Sequence, residues 1–126
     1  MSKPVPVLKD EEQEHPVPSE WRSKLRDIAG AFENGNHSLR GLVNVDPLDE
    51  ATAAGIARNI DDYGCTLSPL PDESWDTSIC QWQLDYWEVL VDLFTAEEGR
   101  SDLVLHVNVF EEAGGFVFKV HFVYVP

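Results

Sequence analysis

The chain has 126 residues, 43% of them apolar, with four Trp, six Phe and three Tyr. That is enough to close one core, so wholesale disorder is excluded and a single ordinary domain is expected. Nine Lys and Arg against 23 Asp and Glu leave a net charge of −14, which opposes docking on nucleic-acid phosphates or an anionic membrane surface.

Residues 1–18 hold four prolines (Pro4, Pro6, Pro16, Pro18) and the run Asp10, Glu11, Glu12, Glu14. Prolines remove donors and the carboxylates repel one another, so no regular element is expected there. The segment reads as an extended or flexible acidic tail ahead of an α+β domain at 19–126. Val5, Val7 and Leu8 give it the means to lie along that domain.

Trp21, Leu25, Ile28, Ala29 and Phe32 form one stripe at helical period, predicting a helix over about 19–34 with Ser19 as its cap and Gly35 as its stop. Residues 37–45 read as a short strand or extended link. A second helix follows, capped by Asp46 before Pro47 or by Asp49, with Leu48, Ala51, Ile56, Ile60 and Tyr63 inward and Gly64 as its end. Gly55 allows close approach of a neighbour.

The period then changes. Cys65–Leu67 is a short strand candidate, and residues 72–77 form an acidic loop in which Trp75 is the aromatic expected to be exposed or half-exposed. Strands are predicted over 78–83, 86–95, the stretch after the turn at 96–101, and 116–124. If Ala113-Gly114 close the last hairpin, Leu105 meets Phe122, Val107 meets Val120 and Val109 meets Phe118 on the apolar face. The reverse face then pairs Val104 with Val123, His106 with His121 and Asn108 with Lys119. The fold expected is an α+β two-layer sandwich: a mainly antiparallel sheet of three to five strands with two helices on one face.

No reaction is signalled, and an enzyme is not expected. His106 and His121 lack an evident third ligand, so neither a metal nor a cofactor is expected. Cys65 and Cys80 read as free, buried structural thiols, and Cys80 has no setting that would activate it in a dyad with histidine. No apolar run approaches the ~18 residues of a membrane span and no signal peptide opens the chain, so the cytoplasm is the expected compartment. Arg100 is expected to pair with Glu97, Glu98 or Asp102 within its turn.

The segments Asp62–Leu67, Leu70-Pro71 with Trp75, Trp87–Leu103 and the ending Tyr124-Val125-Pro126 resemble a family of small bacterial proteins classed as a domain of unknown function. The likeness runs from about Trp21 onward, and its most distinctive stretch is Glu98-Gly99-Arg100-Ser101-Asp102-Leu103. It implies a bacterial cytoplasmic origin and transfers no catalytic residue. More loosely, size and charge are similar to those of immunity proteins that neutralise basic toxins, an analogy that does not itself give function. The function expected is an acidic protein-binding module covering a basic partner, with Trp75, Asp76, Asp92, Glu97, Glu98, Arg100 and Asp102 as contacts. The alternative is a small-ligand or regulatory sensor domain with a pocket lined by Trp82 and Tyr63.

Overall fold

A computed structural model describes residues 4–126. The strands are β1 (His15–Pro16), β2 (Ile79–Trp82), β3 (Trp87–Thr95), β4 (Gly99–Glu112) and β5 (Gly115–Tyr124); the helices are α1 (Ser19–Glu33) and α2 (Glu50–Tyr63). All five strands form one antiparallel sheet in chain order, a plain meander. The architecture is α+β.

Helix α1 buries the predicted stripe of Trp21, Leu25, Ile28, Ala29 and Phe32. It starts differently from expectation: Pro18 holds the cap position, and the Ser19 hydroxyl accepts from Val5 N at 2.7 Å instead of capping. Proline's fixed φ suits the entry to a helix, and the N-terminal segment, a strap laid along the domain through Val5, competes for the hydroxyl. Helix α2 uses the later of the two starts, with Asp49 accepting from Thr52 N at 2.7 Å. Gly64 ends it at φ 76°, where a side chain is strained. Ile56 and Ile60 point inward, but Ala51 is exposed, correcting its inward placement.

Residues 37–45 are turns, with a single parallel bridge from Val45 to Phe118 in place of a strand. The 72–77 loop contains a 3-10 turn over Asp72–Asp76. The N-terminal segment is extended and docked. Val17 is fully buried, His15–Pro16 pair with β2, and Leu8 O accepts from Trp87 Nε1 at 2.9 Å.

The last hairpin turns at Ala113-Gly114, both at positive φ, as a two-residue loop requires. The expected register holds from Glu112–Gly115 to Val107–Val120 and then slips by one. His121 is the extra residue of a bulge, so His106 pairs with Phe122, Leu105 with Val123 and Val104 with Tyr124. Val123 therefore takes the core position expected of Phe122. Phe122 lies against α2, its ring 3.1 Å from where a Cβ on Gly55 would stand. The core joins Trp21, Leu25 and Ile28 of α1, Ile56 and Ile60 of α2, and Trp87, Val89, Val91, Leu105, Val107 and Val109 of the sheet.

Candidate functional site

Alternation sends every second side chain of β3, β4 and β5 away from that core. The reverse face carries Glu88, Leu90 and Asp92 on β3 and Val104, His106, Asn108 and Phe110 on β4. Val104 is buried but lies outside the main core cluster, so this face has an apolar floor of its own. Tyr86 stacks on Phe110 at 5.2 Å, and Lys119 Nζ stands 4.6 Å from the centre of the Phe110 ring.

Asp92 is the most tightly positioned carboxylate there. Ser74 Oγ donates to its carbonyl at 2.8 Å, its N–H donates to Ser78 Oγ at 3.0 Å, and the Thr77 hydroxyl donates to its carboxylate. Ser74 and Ser78 are buried and lie within hydrogen-bond reach of each other, so the clamp is part of the fold. Between Asp92 and Phe94 the β3–β4 register slips, and Ser101, Asp102 and Leu103 all oppose Leu93. The slip brings Asp92, Arg100 and Asp102 around Val104, beside Val125 and Pro126, in an open groove of about 470 Å³.

Three expected contacts thus share one groove, and four do not. Glu97 accepts from Thr66 N at 2.8 Å, which holds its carboxyl below the usual range, and Glu98 accepts from the Tyr63 hydroxyl, whose pKa it raises. Both carboxylates tie the β3–β4 turn to the exit of α2. Trp75 is only 5% exposed, which corrects its expected exposure. It is a loop anchor flanked by Arg22 and Arg26, and Asp76 lines the same separate cavity. Arg100 makes no ion pair among the described residues, contrary to its expected pairing within the turn. Trp82 lies against Trp87 at 4.5 Å while Tyr63 serves Glu98, so the two make separate contacts. The Arg22–Arg26 pair escaped sequence reasoning, although its spacing of one helical turn was visible.

His106 and His121 do meet, with ring centres 4.6 Å apart, although the bulge removes them from register. Among the described residues, no group of three His, Cys, Asp or Glu is placed to hold a metal. His106 Nε2 lies 3.6 Å from Glu88 and 3.2 Å from Asn108. Burial pushes its pKa below the usual imidazole value; His121 adds to that and Glu88 opposes it. Because the folded pKa is the lower one, the unfolded chain takes up this proton first. The His106 contribution should be flat above about pH 7, and stability should fall as pH drops through the imidazole range, about 6.5 downward. His106→Gln should flatten that segment of a Tm-against-pH curve. The depressed carboxyls of Asp10, Asp49 and Glu97 give a separate loss at lower pH, as they protonate.

Cys80 stands opposite His15 in the β1–β2 ladder. The imidazole turns to Asp10 at 2.9 Å, and burial pushes the Cys80 thiol up to about 11. Burial and the nearby Glu97 and Glu98 also raise the Cys65 thiol. Both thiols are free and protonated at neutral pH, which makes them poor nucleophiles. No described helix is long and apolar enough to cross a membrane.

Residues 29–126 match a family described as a domain of unknown function (DUF7668), and the chain belongs to that family. No curated protein and no solved structure matches it.

Proposed function

We propose that the chain is an acidic protein-binding module of the cytoplasm. It covers a basic protein with the bare face of its sheet, as an inhibitor or immunity protein covers a toxin domain. The groove that sets Asp92 and Asp102, with Arg100 beside them, around the apolar floor of Val104 carries this reading. An Arg or Lys side chain can lay its stem on that floor and its charge against the carboxylates. The Thr77 bond leaves further lone pairs of Asp92 free to accept. The net charge of −14 adds long-range attraction that speeds encounter and fades with salt.

The test is capture from host lysate at low and high salt, then titration of the purified pair. The expected result is one stoichiometric basic protein, lost at high salt. Asp92→Asn should weaken it by about 2 kcal/mol, roughly 30-fold, while Asp102→Asn, at an exposed site, should mainly slow association. A blank at both salts with the partner known to be expressed, or a captured protein indifferent to both substitutions, would overturn the reading. A small-ligand or sensor domain is the second function the geometry favours, because of the cavity beside Trp75.

A further inference from the structure

Arg22 and Arg26 stand one turn apart on α1, and both guanidiniums lie beside the Trp75 ring, 5.4 and 5.5 Å from its centre. Main-chain carbonyls fix their orientation. Arg22 donates through Nε and Nη2 to Val17 O at 3.1 and 3.0 Å, and Arg26 Nε donates to Leu70 O at 3.4 Å. Each guanidinium has five N–H donors, so each keeps several free. Burial and the neighbouring Arg26 charge push the Arg22 pKa down, and the Asp72 and Asp76 carboxylates oppose that shift. Two cations are thus held side by side, partly offset by those carboxylates, in a chain that has only nine Lys and Arg.

Ser19 and Ser23 occupy the same face of α1, and all four side chains line a cavity of about 660 Å³ together with Trp75, Asp72 and Asp76. The volume lies in the range of small-ligand sites. Ser19 Oγ accepts from the strap, which leaves its hydroxyl proton to donate. Arg26 also pairs with Asp72, whose side chain is 96% exposed at the rim. None of these residues lines the groove of Asp92 and Asp102.

We propose that this cavity binds a phosphate group, free or as a small phosphomonoester, with Arg22 and Arg26 as its two cationic arms. A single carboxylate offers Arg26 little that Asp72 does not already supply. A tetrahedral phosphate accepts from two planar forks at once and still has an oxygen for a serine hydroxyl. Binding exchanges the exposed Asp72 contact for the ligand and relieves the repulsion between the guanidiniums. The site does not depend on the bare-face reading and stands or falls separately.

The experiment titrates the purified chain with inorganic phosphate, against sodium chloride at matched ionic strength. Tm and the Trp75 indole N–H resonance, assigned through Trp75→Phe, are followed. A saturable rise in Tm and a shift of that resonance are expected with phosphate and not with chloride. Arg26→Gln should weaken binding about tenfold, the loss of one charge-assisted contact. Asp72→Asn, at an exposed position that folding tolerates, should strengthen it by roughly threefold by removing the competing carboxylate. A nucleoside monophosphate that binds more tightly than phosphate identifies an ester as the ligand; equal or weaker binding identifies free phosphate. No saturable response in either the parent chain or Asp72→Asn, or an Arg26→Gln response equal to the parent's, would overturn the proposal.

Discussion

Trp87→Ala should cost about 3–5 kcal/mol, the most of any single substitution in the chain. The side chain is fully buried and central to the aromatic cluster. Its ring meets Trp21 edge-on at 5.2 Å, Trp82 at 4.5 Å and Phe116 at 5.7 Å. Truncation leaves a cavity that three large rings cannot jointly fill, because each is held from its own element. It also removes the donor that tethers the strap at Leu8 O. Trp87→Phe separates the two effects, since it keeps most of the ring and strands only that carbonyl. Urea unfolding should rank the parent chain above Trp87→Phe, and Trp87→Phe above Trp87→Ala. Equal loss in both variants would show that the tether, not the packing, dominates.

The hairpin shows how far sequence reasoning reaches and where it stops. Two glycines mark the turn, and strict alternation on both strands sets the register down to Val107–Val120. The bulge at His121 leaves no mark, because a single-residue slip in the run Val120-His121-Phe122-Val123 leaves apolar residues available for the core in either register. Helix α1 is legible because five apolar residues repeat at one period. Its cap is not, because the strap that takes the Ser19 hydroxyl is 14 residues away in sequence. Of the candidate contacts, Asp92 and Asp102 could be placed from strand parity. Trp75 could not: it packs into the core cluster and meets Arg22 and Arg26, contacts made across the fold. A tryptophan among carboxylates in a loop looks exposed until its partners are known.

The sheet edges narrow the mode of any protein contact. An open edge invites strand addition. At β5, Asp46 N donates to Phe118 O at 3.0 Å, Phe118 N donates to Asn44 O at 2.8 Å, and Asn59 Nδ2 donates to Val123 O at 2.8 Å. At β2, the ladder with β1 and the bond from Gln81 Nε2 to Glu11 O occupy part of the other edge. Some main-chain groups at both edges already have partners, whereas the bare face keeps its Asp92 groove open. Docking through side chains on the face therefore fits this fold better than strand addition.

The fragment 29–126, cut where the family match begins, should fail to fold on its own. The cut falls inside α1 and discards Trp21, Leu25 and Ile28, each at most 1% exposed. Burying side chains of this kind contributes about 1.5–3 kcal/mol each, so losing all three removes a sum comparable to the whole stability of an ordinary domain. It also opens the aromatic cluster to water on the side of Phe116 and Phe118, which meet Trp21 at 5.2 and 6.2 Å. The fragment 19–126 keeps α1 but loses Val17, the β1 pairing and the acceptor of Trp87 Nε1. It should fold with a deficit of about 3–5 kcal/mol, from one buried aliphatic side chain and one stranded buried donor. Far-ultraviolet circular dichroism with urea unfolding distinguishes the cases: a sloping baseline for 29–126, and a cooperative transition at reduced urea for 19–126. A stability of 19–126 equal to the full chain's would mean that the strap only lies on the domain. The expected deficit would make it part of the core, since Val17 is fully buried in the same cluster as Trp21 and Trp87.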